Sequence, residues 1–183
     1  TYETASAAVT ITVADRTYQS IVVKNAPAAV KLGDELVLPD SFQLTVTYGA
    51  DDGLEPAVYG RDGVTVTGYD KNATGESSIG VKTITVTAKD DSKATQTFNI
   101  TVEDWLAGIN LTQPAKTTYA WGEDALLDLA GGSVLPIMKS QITQTAVPLT
   151  LSMLDKTSGI LGTIGRHTIT VTYEGWTQSF TIT

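Results

Sequence analysis

The dominant pattern along the chain is strict alternation of apolar residues with threonine. Residues 83–87 read Thr-Ile-Thr-Val-Thr, and residues 168–172 read the same. In each, Ile and Val share one face and Thr the other, as a half-buried strand requires. Phe42, Leu44, Val46 and Tyr48 alternate with Gln43, Thr45 and Thr47 in the same way, and Phe98, Ile100 and Val102 are predicted to line the facing sheet. Thr is β-branched and fits a pleated strand better than a helix, so this composition reinforces the periodicity. Residues 34–39 (Asp-Glu-Leu-Val-Leu-Pro) also read as a strand, and residues 123–130 (Glu-Asp-Ala-Leu-Leu-Asp-Leu-Ala) as a strand carrying one helical turn.

The alternation is repeated along the chain. Val64-Thr-Val-Thr aligns with Leu149-Thr-Leu-Ser, Asp70-Lys71 with Asp155-Lys156, and Ile79-Gly80 with Ile164-Gly165, all at the offset that carries residue 83 to 168. A fixed period marks tandem modules. Downstream, Thr97–Val102 and Ser179–Thr183 form matching last strands, reached through Lys89–Lys93 in one copy and the shorter Glu174-Gly175 in the other. Asp and Gly suit hairpin turns. Upstream, Ile21-Val-Val, Pro27 and Gly33-Asp34-Glu35 match Ile109-Asn-Leu, Pro114 and Gly122-Glu123-Asp124. The pattern predicts modules over 16–103 and 104–183. Residues 1–15, with Val9–Val13 as a strand, read either as the last strand of an earlier module or as an extra edge strand on the first. The chain starts on Thr1 and stops within strand-like sequence at Ile182-Thr183, which predicts a piece of a longer polypeptide. The junction Glu103-Asp104-Trp105 lacks Gly and Pro and is expected to restrict the angle between modules. Short strands with turns between them, in modules of this length, give an all-β expectation of tandem β-sandwiches.

The charge is −8 and Lys and Arg are scattered, so neither a phosphate backbone nor an anionic membrane surface is an expected partner. No segment has the apolar length of a membrane span. Cysteine is absent, so disulfides and thiolate metal sites are excluded.

In the second copy, Tyr119-Ala-Trp-Gly122-Glu123, Gly165-Arg-His-Thr-Ile-Thr-Val-Thr-Tyr173-Glu-Gly175 and Phe180-Thr-Ile-Thr183 resemble the bacterial immunoglobulin-like domains of Gram-positive surface proteins, the group-3 type in particular. The first copy keeps Gly33-Asp34-Glu35-Leu36, Gly80–Thr87 and Phe98–Val102, but has Ala88 where the second has Tyr173. The resemblance implies a spacer or adhesive module, extracellular or attached to the cell wall, or a neighbour of the catalytic domain in a secreted glycan-degrading enzyme.

The chemistry-bearing residues are sparse. His167 is the single histidine, and its counterpart in the other copy is Lys82, so Ser–His and Cys–His catalysis lack a basis. The acidic pairs Asp34-Glu35, Asp51-Asp52, Asp90-Asp91, Glu103-Asp104 and Glu123-Asp124 fall at turns or strand starts, where solvated carboxylates belong. No enzyme activity is expected. Asp15, Glu103 and Asp104 offer hard oxygen ligands for calcium at the module junction, without an Asp-x-Asp-x-Asp-Gly loop. Exposed aromatic rings stack on sugars, so Trp121, Tyr119 and Trp176 are the candidate ligand-binding residues for a glycan or a host surface protein. The competing structural role for these rings is to plug the ends of small cores. The sequence therefore predicts first a structural spacer, monomeric within a longer chain. Its alternatives are an adhesive module and an accessory domain of a secreted polysaccharide-degrading enzyme.

Overall fold

The computed structural model describes residues 17–50, 53–90, 92–121, 126–157 and 162–183. Residues 1–15, with the Val9–Val13 strand, lie outside them. The described chain is all-β: twelve strands joined by turns and short 3₁₀ segments. In chain order they are β1 (Tyr18–Lys24), β2 (Ala29–Lys31), β3 (Gln43–Tyr48), β4 (Ala57–Tyr59), β5 (Val64–Thr67), β6 (Gly80–Ala88), β7 (Thr95–Glu103), β8 (Leu106–Thr112), β9 (Ser133–Met138), β10 (Val147–Pro148), β11 (His167–Tyr173) and β12 (Trp176–Ile182). They form sheets β1-β3-β4, β2-β7-β6-β5, β10-β9-β8 and β11-β12.

The chain divides into two compact units that cross the repeat boundary. One holds the described residues up to Pro27, with Val37–Gly68 and Thr83–Asn99; the other holds Ala28–Leu36, Tyr69–Lys82 and Ile100–Thr183. In the first unit, Leu44 and Val46 of β3 pack against Val64, Val86 and Ala88 of β5 and β6, with Phe42 and Leu38 buried in the same core. The alternating Thr residues take the other face. In the second unit, Ile109 and Val134 of β8 and β9 pack on Ile169, Val171, Phe180 and Ile182 of β11 and β12. Each unit thus encloses apolar faces of two sheets, the arrangement of a sandwich.

One device recurs in both repeats. The Gln96 side chain on β7 donates to the Ile21 carbonyl of β1 at 2.7 Å. Gln178 on β12 donates to the Ile109 carbonyl of β8 at 2.7 Å and accepts from the Leu111 N–H at 3.0 Å. Both glutamines precede the matched Phe98 and Phe180 by two residues, in Thr-Gln-Thr-Phe and Thr-Gln-Ser-Phe. β1 and β8 are edge strands. Their outward backbone groups would otherwise lack partners, and the amide supplies one.

Two expected strands are irregular instead. Residues 34–39 run outside any ladder and insert Leu38 into the core. Residues 126–130, the described part of 123–130, likewise form no strand and insert Leu127, while Asp128 N–H donates to the Tyr119 hydroxyl at 3.0 Å. In each segment a core side chain and local hydrogen bonds hold extended backbone that no neighbouring strand reaches. The structure also contains a strand that alternation does not reveal, β9, because Pro136 interrupts it. Ile109 opposes Pro136 and turns its carbonyl outward to Gln178. Opposed residues in such a pair both point away from each other, so the proline nitrogen faces the β10 side, where β10 reaches only Val134 and Ser133. The missing N–H breaks no ladder bond. The Glu174-Gly175 turn matches expectation: φ is +48° and +84°, the pair of positive values that a two-residue hairpin needs.

Candidate functional site

The candidate aromatic residues separate into two places. Trp176 opens β12 opposite Tyr173, whereas the far end of the same hairpin pairs His167 with Ile182. Six residue steps along a strand span ~20 Å, so Trp176 does not share a site with the residues around His167. Trp176 donates its indole N–H to the Leu106 carbonyl at 3.2 Å and covers the entry to β8. Trp105 does the same elsewhere, donating to the Leu32 carbonyl at 2.8 Å. Both indoles thus tie down backbone.

Tyr119 and Trp121 do lie together. Backbone hydrogen bonds place them: Thr183 N–H donates to Thr117 C=O and Tyr119 N–H donates to Thr183 C=O, both at 2.8 Å, so the segment runs parallel to the end of β12. Tyr119 is half-buried against the core, its hydroxyl held by Asp128 N–H and the Lys116 ammonium 4.5 Å above its ring. Trp121 is 74% exposed and Ile164 87% exposed. With Tyr119, His167 and Ile182 they line a mostly apolar concavity of about 100 Å³. The His167 ring nitrogen Nε2 lies 3.0 Å from Thr163 C=O and 3.3 Å from its hydroxyl. Ile164 and His167 were not among the residues the sequence put forward for ligand binding: His167 stood out only as the single histidine, and Ile164 only by its alignment with Ile79. The concavity is smaller than the ~300–1,000 Å³ of pockets that enclose small ligands.

The junction residues have other work. Asp104 Oδ1 accepts from its neighbour Trp105 N–H at 2.9 Å and from Ser140 N–H at 3.0 Å, and Oδ2 accepts from the Ser140 hydroxyl at 2.6 Å. Glu103 is exposed on β7, and its carbonyl accepts from Leu32 N–H at 2.9 Å. Among the described residues no three His, Cys, Asp or Glu side chains come together to hold a metal; Asp15 lies outside them. Gly75 N–H donates to the Ser140 carbonyl at 2.6 Å, so the Lys139-Ser140 turn is gripped from both sides. Sequence reasoning passed over Ser140, a buried serine with no motif around it.

Elsewhere, Tyr59 on β4 donates to Asp90 Oδ2 at 2.6 Å. Partial burial, and then the carboxylate beside it, push its phenol up to about 12. Lys71 pairs with Glu35, which raises the lysine further. Tyr59 thereby joins β4 to the turn after β6, and Lys71 joins its turn to Glu35.

No family model matches the chain. It is similar to an exo-beta-1,6-galactobiohydrolase of Bifidobacterium longum subsp. longum, 30% identical over 151 residues. The alignment covers 79% of this chain and 10% of that protein, so the chain spans about a tenth of the length of its relative. Among the described residues there is no helix long and apolar enough to cross a membrane.

Proposed function

We propose that the chain is a non-catalytic accessory segment of an extracellular glycan-degrading enzyme, built from immunoglobulin-like modules that hold the catalytic domain at a distance from its attachment. The observation that carries this reading is the proportion of the match: most of this chain aligns with a small part of a protein named for hydrolysis of a β-1,6-galactobioside. The aligned length is that of one or two ordinary domains. The acidic pairs among the described residues support it. Glu35 is engaged by Lys71, Asp90 by Tyr59 and Asp104 by Ser140, whereas a glycosidase needs two carboxyl groups facing each other across a cleft.

Two measurements test it. The purified chain is expected to show no turnover of a substrate ending in β-1,6-linked galactobiose; turnover abolished by a single carboxylate-to-amide change would overturn the reading. In the parent reading frame, a glycoside hydrolase domain supports it. A wall anchor and further repeats with no catalytic domain would assign the chain to the stalk of a surface protein instead.

A further inference from the structure

The ends of the two repeats correspond residue by residue, yet one is covered and the other is bare. In the first repeat, Thr101 N–H donates to Ala28 C=O at 2.8 Å, and Ala29, Val30 and Lys31 pair in parallel with Thr101, Val102 and Glu103. In the second, Thr183 N–H donates to Thr117 C=O and Tyr119 N–H to Thr183 C=O, which sets Thr118 beside Thr183. Thr101 and Thr183 each stand three residues after the matched Phe98 and Phe180. Superposing the ladders makes Val30 equivalent to Tyr119 and Leu32 to Trp121; the residues that follow, Gly33 and Gly122, match in the sequence.

Leu32 is 0% exposed. The second repeat lies against it: Trp105 donates to its carbonyl, and a Cβ added to Gly33 would meet the Lys139 side chain at 2.7 Å. Gly75 holds Ser140 from the neighbouring loop. All these residues belong to one compact unit. Trp121, at the position equivalent to Leu32, and Ile164, which lines the same concavity, are the two most exposed large apolar side chains of the described chain. An apolar pair so exposed, rimmed by polar residues, marks an interaction surface.

We infer that the Trp121–Ile164 face docks a further module of the same kind, seated as Trp105 and Lys139 seat on Leu32 and Gly33. The inference rests on the internal repeat and is independent of any attachment to a hydrolase. Parallel pairing at Trp121 would receive the incoming backbone, as Leu32 receives Glu103 by donating its N–H to the Glu103 carbonyl. Trp121 is the larger apolar counterpart of Leu32, and His167 with Thr163 forms the polar rim. The shallow concavity fits a protein surface better than an enclosed sugar.

The absence of cysteine permits a clean test. Ile164→Cys is made in the 183-residue chain and in the same chain extended at Thr183 by a second copy of residues 102–183. Val58→Cys, on a 58% exposed strand position in the other unit, serves as control in both. The thiol at 164 is expected to react freely in the original chain and about tenfold or more slowly in the extended one, with the control unchanged. Trp121→Ala in the first copy of the extended chain should restore the free rate. Equal rates in the two chains, with the extended protein unfolding cooperatively, would overturn the inference. So would shielding that survives Trp121→Ala. Shielding of the 183-residue chain by β-1,6-galactobiose, with none from the added module, would also overturn it and make the face a glycan subsite.

Discussion

At the scale of single residues, the stability of this protein depends on where polar side chains find partners. Tyr59 is the clearest case. Its phenol stays protonated up to about 12 in the folded chain, against an ordinary value of 10.0. Proton loss therefore favours the unfolded state first. The associated stability is fully present below the ordinary tyrosine pKa and is lost as pH rises from there towards about 12. Tyr59→Phe should flatten the fall in denaturation midpoint between those two values; an unchanged alkaline slope would assign that fall to other groups. Gly68 shows the opposite dependence, on having no side chain. Its φ is +103°, and an added Cβ would strike the Thr83 carbonyl, so the turn out of β5 admits only glycine.

At the scale of elements, the repeated glutamines and the junction aspartate organise neighbouring strands and turns. Gln178→Ala leaves the Ile109 carbonyl and Leu111 N–H of an edge strand without their partner. It is expected to cost about 1–2 kcal/mol, read as a shift in urea midpoint at constant slope. A loss confined to a few tenths would mean that water replaces the amide. Asp104→Ala removes the acceptor of a buried serine hydroxyl and its N–H. The expected cost is about 1–3 kcal/mol, with faster hydrogen exchange at Ser140. Slow exchange retained there would show that Gly75 alone holds the turn. Elements also mark where the sequence was readable. β3, β6, β7, β11 and β12 alternate cleanly because one face is buried and the other solvated. β9 escaped detection because Pro136 breaks the pattern, and its tolerance depends on how far β10 extends. Residues 34–39 and 126–130 look like strands because Leu38 and Leu127 must point inward, although no neighbouring strand completes a ladder.

At the scale of the whole molecule, no described residues cluster as a metal site, and the Asp104 carboxylate already accepts three donors. Millimolar calcium and chelator are therefore expected to leave the thermal midpoint within about 1 °C of each other, since a ligand that does not bind the native state does not stabilise it. A calcium-dependent rise that disappears in Asp104→Asn would restore the junction as a cation site. The −8 charge is scattered along the sequence, so its effect should fall on solubility rather than on one locus.

By itself the sequence determined the strand faces, the two-residue turn at Glu174-Gly175 and the repeat, because each depends on neighbours a few residues apart or on a fixed period. It also singled out Tyr119 and Trp121 as neighbouring rings, without deciding between an exposed face and a plug for a small core; their exposure is read from the structure. Only the tertiary structure decided that Trp176 stands apart from them, that Ile164 and His167 join them, and that Asp104 is engaged by Ser140. Those facts depend on which distant backbones lie side by side. The contrast between buried Leu32 and bare Trp121 belongs to both levels: the repeat makes the positions equivalent, and packing alone covers one of them.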